Sequence, residues 1–474
     1  MKYILLVFTS LILSACSNSE ISKKVLMNVH NDKTLMQVKK PPAGSLITVK
    51  KLQNDLKELN TFLDSVHPDP SFTMNLTEVK TQIKKLSDGI TSSMTRHEAW
   101  KYFSQLNPYF QDGHMVISYP NFAQDLNNHI KNGGSVFPFK VTIDKSHRIF
   151  VTDVQNNNTD ISIGDEIKSI NGVFASRIVD VILSRMHGDT VENRIALAAN
   201  RFTNMYWLLY GDTGHYQIEV LKNNEQKNYS VLGSSEGINT AETGIDEFVQ
   251  REILNDRIGY LRIDRFYYTQ NQEKSYFKFM KDTWQEFHDA NVQDVIIDVR
   301  NNSGGTDHYW QQGIAPYIAS KPFLFLSEFK VRMTERNIRM GPVRGELGSI
   351  IEGPFEQLVP VNDHNSLKIP GQAYLLMDHL SYSSTILFLT ALKDSKQAII
   401  AGQSSARSCS TGRIETSNLS GSKLELTIPT LIFTRPSGKS LCASSIKPDI
   451  FISGDPLDPS IAIAKLAKLI KAKR

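Results

Sequence analysis

Cysteine is scarce: 474 residues hold three, Cys16, Cys409 and Cys442. Neither Cys409 nor Cys442 has a histidine close in sequence, which argues against a thiolate nucleophile or a zinc site. Histidines show no close ligand spacing elsewhere, and no dinucleotide-binding fingerprint occurs, so no metal or organic cofactor is implied. Charge of one sign is also lacking. Fifty-three Lys and Arg against 49 Asp and Glu leave a formal charge of +4, with no long basic run, so there is no argument for nucleic acid. No aromatic array suggests a carbohydrate groove. The apolar run 3–13 is too short for a stable spanning helix. Behind Met1-Lys2 and ahead of Ser14-Ala15-Cys16, it reads as a secretory signal over residues 1–15.

Ser14-Ala15-Cys16 resembles the lipobox of bacterial lipoproteins, in which the cysteine becomes the acylated first residue. Ser17, not an aspartate, follows, which is similar to the outer-membrane sorting pattern of Gram-negative lipoproteins. The resemblance implies lipidation of Cys16, a tether over 16–50 and a lipid anchor on the periplasmic side of the outer membrane. An ordinary signal with a chance cysteine is the alternative. In an oxidising compartment Cys409 and Cys442, which flank the 424–433 strand region, can form a disulfide. Two buried thiols are the other reading.

The length allows two or three domains, and the pattern suggests a multidomain α/β protein. Residues 51–130 read as a helical module. Leu52, Leu56, Leu59, Leu63 and Val66 form one apolar stripe, and His67-Pro68 ends the helix. A second helix is expected over 77–86, capped by Asn75 or Thr77. A third is expected over 96–106 behind a Thr95/Glu98 capping box. Residues 46–49 can pair as an edge strand. Asp112-Gly113 signals a turn and His114 opens a short, mostly apolar strand, where a histidine has either a hydrogen-bonding or a catalytic use.

Residues 132–235 are β-rich, with alternation at 137–143 and 148–154 and extra helix expected within 191–209. The run Gly164-Asp165-Glu166-Ile167-Lys168-Ser169-Ile170-Asn171-Gly172 resembles the PDZ domain. That implies a small β-rich fold, and peptide capture by strand addition as one use of it. A purely structural barrel is the other.

From 245 to 474 the rhythm becomes strand–helix–strand. Strands are expected at 258–263, 295–299, 373–377 and 397–401, with helices at 276–290 and 385–392. Asn301-Asn302-Ser303-Gly304-Gly305 follows one strand, and Ser381-Tyr382-Ser383-Ser384 follows another. Ser383 therefore stands at a strand's carboxyl end and a helix's amino end. There it can cap the helix or act as a nucleophile beside free backbone N–H groups.

Asp298-Val299-Arg300-Asn301-Asn302-Ser303-Gly304-Gly305, the Leu376–Asp394 segment with Ser383, the late Ile446-Lys447-Pro448-Asp449 and the early Gln111-Asp112-Gly113-His114 converge, in order and spacing, on one family. Together they resemble the tail-specific, or C-terminal-processing, serine peptidases (S41-like), and the PDZ-like module sits where that family carries one. The family's serine–lysine dyad does not carry over: its lysine position falls on Ser408, and no lysine lies between Lys396 and Lys423. The tricorn-like branch, with serine and histidine, fits better.

The resemblance implies a crotonase/ClpP-like catalytic domain, Ser383 as nucleophile and His114 as general base. It implies an oxyanion hole from Gly304 or Gly305 with the N–H of Ser384. For the acid supporting His114 it leaves Glu415, with Asp112 as an alternative. The implied function is a serine-type peptidase acting on a peptide or unfolded protein through an acyl-enzyme. A catalytically weak or inactive peptide-binding protein on the same fold is the alternative, because the 402–411 loop departs from the family's pattern.

Overall fold

The computed structural model describes residues 44–474 except 156–158, 239–241 and 362–363. The signal, Cys16 and most of the tether lie outside the described residues. Among those described, no helix is long and apolar enough to cross a membrane.

The chain is a multidomain α/β protein that opens with helices. Val49–Val66 buries the stripe Leu52, Leu56, Leu59, Leu63 and Val66. Leu76–Asp88 begins at Asn75, whose side chain accepts from the Glu78 N–H, and Arg96–Phe103 begins at the Thr95/Glu98 capping box. Residues 46–49 form no strand. Ile47 makes a single bridge to Met94, and the helix already starts at Val49.

The second unit is an antiparallel sheet of Phe139–Ile143, Ile149–Val154, Glu166–Ile170, His215–Lys222 and Glu225–Leu232, with Val173–Phe174 added beside Glu166–Ile170. Asn171 and Gly172 both have positive φ, as a tight turn between adjacent strands requires. Helices Ala175–Leu183, Val191–Asn200 and Phe202–Tyr210 complete the unit, and the last two pack against Phe139–Ile143.

The third unit holds a six-stranded sheet in the order Ile450–Phe451, Ile399–Gly402, Ala373–Met377, Asp294–Asp298, Ile258–Ile263, Val249–Leu254. Only the last pairing is antiparallel. Asp294–Asp298 and Ala373–Met377 are buried at every position, as strands covered on both faces must be. Val295 and Ile297 face the cluster with Trp284, Phe287 and Phe388, whereas Ile296 faces Leu466 and Ile470 of the C-terminal helix Ser460–Lys473. The helix expected to start at 276 starts at Gln270. Its first turn is polar but carries a Thr269/Gln272 capping box.

A separate five-stranded sheet ties the units together. One edge of Glu425–Thr434 pairs with Ser410–Asn418. The other pairs first with Val116–Ser118 and then with Glu328–Arg332, and Pro429, which has no N–H to donate, lies between those two partners. The strand just after His114 is thereby fixed to the third unit. Asp55, buried in the first helix, reinforces the contact by accepting from the Gly421 and Ser422 N–H groups at 2.6 and 2.7 Å.

Candidate active site

Ala373–Met377 ends in a turn held by Asp378 and Ser381. Ser381 Oγ donates to the Val299 carbonyl at 2.7 Å. Ser384 opens the helix Ser384–Asp394, and its hydroxyl donates to Asp307 and accepts from Trp310 Nε1. Ser383, between them, caps nothing. Its φ of 57° and ψ of −124° lie where side chains are rarely found and where sharp strand-to-helix turns present a nucleophile.

The Ser383 Oγ lies 3.0 Å from His114 Nε2, across 269 residues of sequence. On the far side of the ring, His114 Nδ1 is 3.0 Å from Thr411 Oγ1, and that hydroxyl donates to Asp112 Oδ1 at 2.9 Å. The Thr411 proton being committed to Asp112, Thr411 accepts from the Nδ1–H. Nε2 is left as the bare acceptor facing Ser383. Burial drives His114 down to about 4, against the opposing effect of Asp189, so the imidazole is neutral near pH 7. Burial raises Asp112, opposed by hydrogen bonds from the His114 N–H and Thr411.

Glu415 is not part of this chain of contacts. It lies further along Ser410–Asn418, where it accepts from Thr334 Oγ1 at 2.7 Å. The position beside His114 is filled by Thr411 and Asp112. Thr411 carries no sequence signal, being one hydroxyl in a polar loop. Asp112, the alternative to Glu415 as the acid beside His114, shows itself in the sequence chiefly as the first residue of a turn.

The backbone around Ser383 supplies donors. The Gly304 N–H is engaged by Asn302 Oδ1 at 2.9 Å, which removes it as an oxyanion donor. A side chain at Gly304, whose φ is +93°, would stand 2.6 Å from the Ser383 Cβ and from the Tyr382 carbonyl, so its place in the site is steric. Among the described residues, the N–H groups of Gly305 and Ser384 have no partner. Asn302, which the sequence reading passed over, is wholly buried. It ties the glycine loop to the nucleophile turn by accepting from Thr385 and by taking the Tyr382 N–H on its carbonyl.

A pocket of about 360 Å³ opens beside Ser383. Phe325, Phe329, Val343, Phe355, Leu431 and Phe433 supply its apolar lining, and Asp307 and Arg413 also line it. Cys409 and Cys442 are joined in a disulfide two residues before Thr411. Among the described residues, no three His, Cys, Asp or Glu side chains gather as a metal site.

The model of Peptidase family S41 matches residues 257–452. The fold is similar to the crystal structure of mature CPAF, with a TM-score of 0.66 at 13% identity, over 89% of this chain and 96% of that one. It is equally similar to mature CPAF complexed with lactacystin, with a TM-score of 0.65 at 12% identity, over 89% and 97%. At such identity the likeness is one of fold. No curated protein sequence matches.

Proposed function

We propose that the chain is a serine-type peptidase of family S41, whose model matches residues 257–452, and that it hydrolyses peptide bonds through an acyl-enzyme on Ser383. One observation carries the proposal: His114 Nε2 stands at hydrogen-bond distance from Ser383 Oγ, with its tautomer set by Thr411 and Asp112. His114 takes the Ser383 proton as Oγ attacks the carbonyl carbon, then returns it to the leaving amine. Water reverses the sequence to release the acid. The Gly305 and Ser384 N–H groups receive the oxyanion, where such donors act on charge that exists only in the transition state.

The apolar pocket beside Ser383 favours a substrate with a large apolar side chain next to the cleaved bond. The parallel order of five of the six strands supports reading the third unit as crotonase/ClpP-like. The peptide-binding alternative is weakened by the helices Val191–Asn200 and Phe202–Tyr210, packed against an edge strand of the PDZ-like unit. Residues 1–16 support acylation of Cys16, which incorporation of labelled palmitate in cells, lost in Cys16→Ser, would test, and Ser17 supports an outer-membrane anchor, which membrane fractionation of wild type against Ser17→Asp would test.

The activity is tested by labelling the protein with a fluorophosphonate probe and reading intact mass. A single adduct, lost in Ser383→Ala and much slowed in His114→Ala, is expected. A folded native protein that takes no adduct would overturn the proposal.

A further inference from the structure

A second aspartate, half-buried, reaches this site from another part of the chain. Asp189 lies between helices Ala175–Leu183 and Val191–Asn200 of the second unit. Its Oδ1 accepts from the Gly113 N–H at 2.8 Å and from the Tyr382 hydroxyl at 2.8 Å, and its Oδ2 accepts from the Arg407 N–H at 3.3 Å. Three segments of the active site thus meet on one carboxylate: the turn before His114, the residue before Ser383 and the 402–411 loop. Asn193, whose Oδ1 accepts from the Asp189 N–H, extends the junction by donating to the His379 carbonyl at 2.7 Å. Gly113 is needed for the close approach, since a Cβ there would stand 2.5 Å from the Tyr382 ring.

Resting on the peptidase reading, we propose that Asp189 is a positioning residue, and that the work of the acid is divided between two aspartates from different units. Asp112 sets the His114 tautomer through Thr411. Asp189 clamps Gly113 to Tyr382 and supplies the negative charge that favours the imidazolium formed during attack. Asp189 accepts three hydrogen bonds over both its oxygens, which favour its charged form, whereas Asp112 accepts two on Oδ1 and leaves Oδ2 buried without a partner. Two like charges in one buried site do not both ionise at ordinary pH, and burial together with Asp112 pushes Asp189 upward against the pull of Arg407. The titratable and charged groups around His114 are Asp112, Asp189, Tyr382, His187 and Arg407. Of the carboxylates, Asp189 is the one that raises His114.

The test is the fluorophosphonate labelling rate of the full chain against pH, in wild type, Asp189→Ala, Asp189→Asn, Tyr382→Phe and Asp189→Ala/Tyr382→Phe. Misplacement alone can cost about 10²-fold in rate, and that loss is expected in Asp189→Ala. Asp189→Asn keeps an acceptor for Gly113 and Tyr382 and should recover most of it. It lacks the charge, so its acid limb should move to lower pH, which a merely structural role would not do. Tyr382→Phe should slow labelling and add nothing to Asp189→Ala. Should Asp189→Ala fail to fold, Asp189→Asn and Tyr382→Phe carry the test. Wild-type rates in the Asp189 variants, an unmoved acid limb in Asp189→Asn or fully additive losses would overturn the inference alone. A wild-type protein that takes no label would overturn the peptidase reading and this inference with it.

Discussion

The two halves of the catalytic pair are built in opposite ways. Ser383 is placed by a local unit: a buried strand, a six-residue turn and a helix, all within residues 373–394. His114 stands on a turn with no regular element to orient it. It is held by Thr411, Asp112 and the Asp189–Gly113–Tyr382 contact, and by a three-residue strand paired into a distant sheet. The nucleophile is a property of the backbone around it. The base is a property of assembly, so damage far from it in sequence should reach it.

The largest expected effect tests the local half. Ser383→Ala should lower hydrolysis by about 10⁶-fold, as loss of a triad serine does, with no change in melting temperature. An adduct persisting on Ser384 would break the comparison. Next comes the assembled half: Thr411→Val removes the group that fixes the imidazole tautomer, and should cost up to about 10⁴-fold in kcat, by analogy with other lost tautomer holders. Thr411→Ser keeps the hydroxyl and should stay close to wild type.

The disulfide anchors the strand that bears Thr411. Cys409→Ser/Cys442→Ser should lower unfolding free energy in denaturant by about 2–4 kcal/mol, and should slow labelling as well. Loss of stability without loss of labelling would mean that the base is held without this anchor. Gly113→Ala pushes a methyl group against the Tyr382 ring, so a loss of about 10²-fold in rate is expected, with Ser383 still correctly placed in a crystal structure of the variant.

The smallest effect is on stability against pH. Burial holds His67 and His114 at about 4 and His187 at about 3, below the value of about 6.5 for an unfolded chain. Groups depressed in the folded state contribute stability above the unfolded value and lose it as pH falls through the folded one. The melting temperature should therefore drop progressively between about pH 6.5 and pH 3, and a flat profile would contradict the neutral state of these rings.

Legibility in the sequence follows the same division. The apolar stripe 52–66, the capping box at Thr95 and the doubly buried strands announce themselves, because periodicity and caps are short-range signals. Ser383 was visible as a junction residue, but only its hydroxyl, turned to His114 rather than to the helix, and its positive φ separate it from a cap. Glu415 misled because it was the only acid in the segment 395–424, and its side chain turns to Thr334. Gly304 was correctly placed beside the serine, but its N–H is occupied by Asn302. Thr411 and Asp189 had no pattern to betray them, since each matters only through partners 76 to 299 residues away.

The sequence by itself therefore determined the elements: which segments are helix or strand, where the crossover turns fall, and which serine and histidine could react. Those properties follow from local sterics, hydrogen-bond satisfaction and apolar spacing, which act over a few residues. The tertiary structure alone decided which hydroxyl and which carboxylates surround His114. That choice is made by the pairing of Val116–Ser118 with Glu425–Thr434 and by the docking of the second unit on Tyr382. A buried polar group must find its partners wherever packing delivers them.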